Sequence, residues 1–178
     1  MKKIIYPAFA VYAAMLLTTQ IFAEESATLL GDRYQEQAGN FSYQPPKGWT
    51  IQEYPGAKYH IALGPTINNA TPNINFVDEA FAGSLDQYVD ANLNTLKQVM
   101  PNYQKVGQSD VTLDNGERAV KVVITDEQLN HKLRQIFYFT KGHAGRMVVI
   151  TCTTAADLGD RFDPLFELSA KTFKLEKV

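Results

Sequence analysis

Apolar residues recur along this chain with two periods. Phe41 and Tyr43 flank Ser42, Tyr59, Ile61 and Leu63 alternate with His60 and Ala62, and Ile74 and Phe76 alternate with asparagines. A period of two puts one set of side chains on each face of a pleated strand, so a meander of short strands is expected over 41–63 and another strand over 73–81. Pro45-Pro46 must end the first strand or hold it at an edge, because proline donates nothing to a ladder. Thr66–Asn73, rich in Asn, Thr and Pro, predicts an exposed loop. Tyr103–Leu113 and Arg118–Thr125 flank Asp114-Asn115-Gly116-Glu117, where Asn-Gly is expected to supply the positive φ angles of a tight hairpin. In the second arm Val120, Val122 and Ile124 form an inward row, with Val123 on the opposite face beside Lys121. Asp126–His131 is expected to be a polar connection. Leu133–Thr140 and Arg146–Thr154, rich in β-branched and aromatic residues around the turn Lys141–Gly145, predict the central hairpin.

The other period is helical. Leu85, Tyr88, Val89, Leu93, Leu96, Val99 and Met100 share one face, with Asp86, Asp90, Asn94 and Lys97 off it. Ser84 and Gln87 have the spacing of a capping box, and Pro101 stops the helix. Phe162, Leu165, Phe166, Ser169 and Phe173 share a second helical face that can close over the hairpin. Asp157, Asp160 and Asp163 precede it as acids that complement the positive helix end, and Asp163-Pro164 suits a first turn. Hairpin connections make the sheet mainly antiparallel with helices packed on it, so the class is α+β.

The first residues add a location. Lys2 and Lys3, a nearly uncharged run from Ile4 to Ile21, and Ala23 before Glu24-Glu25 form the pattern of a secretory signal peptide over 1–23, cut after Ala23. The competing reading is an uncleaved anchor. No cysteine follows the apolar run, so a lipoprotein anchor is excluded. Of 178 residues, 155 remain after the cut, the size of one domain: a polar lead-in over 24–40 and a single domain over 41–178. The product is expected in the periplasm or secreted, with no stable membrane insertion.

Charge and motifs narrow the chemistry. Lys2 and Lys3 leave with the leader, so 15 basic side chains face 19 acidic ones, a formal charge of −4. Nucleic acid, which selects clustered Lys and Arg, is not an expected partner. His60, His131 and His143 have no metal-ligand spacing, and the three aspartates lack the alternation of an EF-hand loop. Cys152, the lone cysteine, alternates with Val148 and Ile150 and reads as a buried small hydrophobe, not a nucleophile. No serine sits in a nucleophile elbow, and no phosphate or dinucleotide loop occurs. No enzyme activity, cofactor or metal is expected. Trp49, Tyr54 and Tyr59, grouped around Pro-Pro and Pro-Gly turns, are the candidate interaction surface, since aromatic rings bury much area at little entropic cost. The alternative for Trp49 is a plug at one end of the sandwich.

With these elements placed, the chain resembles the PsbP and DcrB superfamily of small α/β/α sandwich modules. The resemblance spans residues 41–175. It rests on Phe41-Ser-Tyr-Gln-Pro-Pro-Lys-Gly-Trp49, the helix from Ser84 to Met100, the Asn-Gly hairpin, and the run from Phe137-Tyr-Phe to Ser169-Ala-Lys-Thr-Phe-Lys-Leu. It implies a non-enzymatic adaptor, and together with the secretory leader and the missing catalytic motifs the expectation is an accessory or binding module of the bacterial cell envelope that engages another envelope or secreted protein. It carries no functional residue onto this chain. A small-ligand or lipid carrier, and after it a hydrolase, are the alternative readings.

Overall fold

The computed structural model describes residues 29–177. The signal peptide expected over 1–23, with its cut after Ala23, lies outside the described residues.

Among the described residues ten strands and two α-helices follow one another as β1 (Tyr34–Glu36), β2 (Phe41–Tyr43), β3 (Thr50–Gln52), β4 (Ile61–Leu63), β5 (Asn73–Ala80), α1 (Leu85–Val99), β6 (Gln104–Thr112), β7 (Arg118–Gln128), β8 (His131–Lys141), β9 (Arg146–Ala155), α2 (Gly159–Lys171) and β10 (Lys174–Leu175). Seven strands form one sheet in the order β3-β4-β5-β9-β8-β7-β6, and β1-β2-β10 form a second. Every strand pairing is antiparallel. The class is α+β, with helices packed on a mainly antiparallel sheet.

Period-two alternation sorts the side chains of the central strands into two cores. On one face of the large sheet Ile136, Tyr138, Ile150 and Cys152 meet α2 and the small sheet through Phe41, Tyr43, Phe162, Phe166 and Phe173. On the other face Val120, Val122, Ile124, Phe137 and Phe139 meet Leu85, Tyr88 and Val89 of α1. The centre of the large sheet is thus covered on both sides, and Val123 faces the first core while its neighbours face the second. Cys152 is fully buried, and that burial pushes its thiol pKa up, as a small core hydrophobe requires.

The capping box forms: Gln87 N donates to Ser84 Oγ at 3.2 Å and Ser84 N donates to Gln87 Oε1 at 2.8 Å. The expected apolar face of α1 frays at its end, where Val99 is 66% exposed. The helix starts beside Glu79, which accepts from Tyr88 Oη at 2.5 Å, and ends beside Glu127, whose N–H donates to the Pro101 carbonyl at 3.0 Å. Its path therefore drifts toward the β7 side and leaves the lower corner of β5, β9 and β8 uncovered.

Several expectations need correction. Residues 29–40 are more than a polar lead-in: Leu30 is buried and β1 pairs with β2, because Glu36 is drawn into the interior by three N–H donors, from Ala38, the His60 backbone and the His60 ring. Asp126–His131, expected as a polar connection, is mostly strand. The ladder of β7 and β8 runs on to Gln128 and His131, closed by Leu129 and Asn130 at φ 50° and 63°, a type I′ pattern. In the Asn115-Gly116 turn only Gly116 has a positive φ, of 86°. Gly116 N donates to the Leu113 carbonyl and Leu113 N to the Glu117 carbonyl, both at 2.9 Å, so the loop is three residues long and ends on a bulged glycine. Finally, α2 begins at Gly159 after a 3-10 turn (Ala156–Leu158), which puts Pro164 inside the helix and not in its first turn.

Candidate binding site

The three candidate aromatics do not form one surface. Tyr59 is 5% exposed, and its ring stands edge-on to Phe41 at 5.2 Å while its hydroxyl donates to Asp78 Oδ1 at 2.6 Å. Its strand-like alternation already pointed inward, so it belongs to the core and leaves the candidate surface. Trp49 is half-buried against α2, edge-on to Phe162 at 6.2 Å and Phe166 at 6.0 Å. Tyr54 is exposed, but it follows β3 whereas Trp49 precedes it, so the two rings mark opposite ends of that strand.

The aspartates before and within α2 also separate. Asp163 is held by Arg134 of β8, with Nε at 2.8 and 3.0 Å from the two carboxylate oxygens and a terminal guanidinium nitrogen at 2.5 Å. Asp160 sits in the first turn of α2, and Asp157 is exposed on the 3-10 turn. His60 Nδ1 lies 2.9 Å from Glu36, and His143 Nε2 lies 3.0 Å from the Asn40 carbonyl. Among the described residues no group of three or more His, Cys, Asp or Glu side chains is arranged to hold a metal.

A larger feature lies in the corner that α1 leaves bare. A cleft of about 820 Å³ opens there on the α1 face of the sheet. Its floor is made by same-face residues of adjacent strands in register. Asn75 of β5 lies opposite Thr151 of β9, which lies opposite Phe137 of β8. One rung further, Asn73 lies opposite Thr153, which lies opposite Gln135. On β8 and β9 the residues switch from apolar under α1 (Phe137, Phe139, Met147, Val149) to polar in the cleft (Gln135, Thr151, Thr153).

Two tight turns form the rim. Ile67 and Ala70 bridge across Asn68 and Asn69, at φ 49° and 64°; opposite them stands Leu129-Asn130. Asparagine tolerates this left-handed backbone, and leucine does so at a cost. Leu129 is also 93% exposed, so neither local conformation nor burial accounts for an apolar residue there.

Beside the floor, on the same face of β7, sits Asp126, 3% exposed, whose two carboxylate oxygens accept from Gln135 Nε2 and Gln128 Nε2, each at 2.9 Å. A carboxylate only accepts, so it dictates which end of each amide it receives and leaves both glutamine Oε1 atoms for other partners. The Thr66–Asn73 loop was legible as exposed and polar. The floor was not, because its residues come from strands far apart in sequence.

The open edges of the large sheet are β3, three residues long, and β6, nine residues long. All of β6 is exposed except Gly107 and Val111, and a bulge between Lys105 and Gly107 interrupts its pairing with β7.

No family model matches the sequence. No curated protein matches it either. Solved structures do. LpqN of Mycobacterium tuberculosis, involved in cell envelope biogenesis, is similar with a TM-score of 0.62 at 13% identity, over 82% of this chain and 90% of its own. The cyanobacterial PsbP, CyanoP, of Synechocystis sp. PCC 6803 is similar with a TM-score of 0.59 at 15% identity, over 81% and 91%. The Ran-binding protein Mog1p of Saccharomyces cerevisiae is similar with a TM-score of 0.57 at 9% identity, over 81% and 94%. These likenesses concern the backbone, and they agree with the arrangement of strands and helices above: the chain is built on the PsbP/Mog1-like fold.

Proposed function

We propose that this protein is an exported, non-enzymatic accessory module of the bacterial cell envelope that engages another protein by strand addition at β6. The observation that carries the reading is the edge itself. Among the described residues one side of the β6 backbone is paired to β7 and the other is free, along a strand long enough to accept an extended segment. The bulge and Lys105 blunt its start, which leaves Gly107–Thr112 as the stretch for pairing. Export is supported by the leader-like first 23 residues. The fold it shares with an envelope-biogenesis protein and with a Ran-binding protein is compatible with an accessory role.

Site-directed photocrosslinking in cells tests the reading. Crosslinkers at Gln108 and Ser109 are expected to trap one discrete envelope protein, and a crosslinker at Asp90 on the outer face of α1 is not. Equal labelling from both places, or none from β6, rejects strand addition. Fractionation of the same cells is expected to give an envelope protein whose first residue is Glu24.

A second reading, a small-ligand carrier, is favoured by the polar cleft. A lipid between helix and sheet does not suit it, because Leu85, Tyr88, Val89, Phe137 and Phe139 fill that space.

A further inference from the structure

We propose that the cleft at the uncovered corner of the sheet binds a neutral, hydroxyl-rich chain, that is, a glycan. The inference rests on reading that cleft as a ligand site, and it is independent of strand addition at β6.

The floor is a grid. Asn75 and Thr151 form one rung, and Asn73, Thr153 and Gln135 the next. Neighbouring strands are ~4.8 Å apart and same-face residues on one strand are roughly 6.7 Å apart, so polar groups repeat in two directions across the surface. Asn75 Nδ2 reaches Asn73 Oδ1 only at 3.5 Å, and Asn73 Nδ2 reaches the Thr71 carbonyl at 3.3 Å; both are long contacts that a better acceptor can replace. Amides and hydroxyls offer donors and acceptors side by side, which is what a hydroxyl needs, since it gives one hydrogen bond and accepts others. Gln135, 5% exposed, is locked by buried Asp126 with its Oε1 left over, so at least one acceptor is fixed before any ligand arrives.

Charge argues against other ligands. The floor residues Asn73, Asn75, Gln135, Thr151 and Thr153 are all uncharged, and the charged side chains Lys132 and Asp157 that also line the cleft, beside His131, are of opposite sign. Phosphate, sulfate or uronate would lack the clustered cations that anions require. A peptide lying on the sheet face would put its own side chains against the floor and keep its backbone groups at its edges, away from the grid. A sugar ring carries hydroxyls around its whole periphery and presents apolar C–H faces, and Leu129 and Leu133 supply the matching apolar contacts.

The test uses isotope-labelled mature protein and follows the side-chain amide signals of Asn73, Asn75 and Gln135 by NMR. The probes are neutral hexasaccharides of glucose and of N-acetylglucosamine, a hexauronate, and an uncharged alanine-rich hexapeptide. At least one neutral hexasaccharide is expected to shift these signals saturably, with the hexauronate weaker. An Asn73→Ala/Thr153→Val double variant, with unchanged backbone spectrum, should weaken that binding about tenfold, the scale of one to two lost hydrogen bonds. If the peptide shifts the amides and no neutral saccharide does, the glycan assignment falls and the ligand site stands. If no probe shifts them, both fall. Wild-type mapping decides between these results even where the double variant fails to fold.

Discussion

Arg134 on β8 and Asp163 on α2 form a forked ion pair that fastens the second helix to the centre of the large sheet, with both side chains 22% exposed. Residues 29 apart in sequence meet because β9 lies beside β8 and the 3-10 turn brings the chain back over it. Arg134 also lies under Gly159, where a Cβ would stand 2.5 Å from its Cδ, so the first residue of the helix must be small.

Asp163→Asn removes the charge and leaves a half-buried guanidinium with weaker acceptors. Unfolding free energy should fall by roughly 1.5–3 kcal/mol, the range for hydrogen bonds to charged groups. Urea denaturation checks this, and Arg134→Lys should recover little because an ammonium cannot make the fork.

Trp49 packs on α2, so its removal is expected to act on stability. Trp49→Ala should cost roughly 3 kcal/mol by leaving a void against Phe162 and Phe166. Gly64→Ala provides the converse: a Cβ there would lie 2.7 Å from the indole, so the ring must shift, at a cost of roughly 1–3 kcal/mol. Denaturation midpoints of both variants decide it. A Trp49→Ala protein within about 0.5 kcal/mol of wild type would return Trp49 to the candidate surface.

Acid should loosen the end of β5. Burial raises the Asp78 pKa, but hydrogen bonds from Lys58, Tyr59 and Arg146 outweigh it and hold the carboxyl at about 2, below its ordinary 3.8. The depressed folded value means that the stabilisation is present above the unfolded pKa and is lost as pH falls from about 4 towards 2. Because the site is partly solvated, the loss is about 1 kcal/mol. Glu36 is likewise held below its ordinary value: burial opposes this, and hydrogen bonds from His60 and Ala38 prevail, so it adds in the same direction. Stability of wild type and Asp78→Asn measured from pH 5 to pH 2 should converge toward the acid end.

Leu129→Gly is expected to stabilise the protein. The turn requires φ 50° at this position, which costs a leucine about 1 kcal/mol, and the exposed side chain loses no packing when removed. Thermal unfolding should shift upward by a few degrees. Weaker saccharide binding by the same variant would indicate that Leu129 is kept for its contact with ligand.

The sequence by itself determined the succession of strands and helices in outline, the capped helix from Ser84, the buried thiol of Cys152 and the inward row Val120, Val122 and Ile124. Each follows from local rules, period two, period 3.6 and cap chemistry, that act between residues a few positions apart. That Val123 faces a second core followed only from the packing of α2 on the other side of the sheet. Tyr59 carries two opposed local signals, since its turn neighbours suggest exposure and its alternation with Ile61 points inward, and packing against Phe41 decides for the core. The three-stranded sheet leaves no mark in the sequence because β1 and β10 are too short to show a period, and they exist through pairing with β2. Only the tertiary structure decided where the cleft lies. Asn73, Thr153 and Gln135 become neighbours through strand register, and they stay uncovered because α1 crosses the sheet on a path that no single segment specifies.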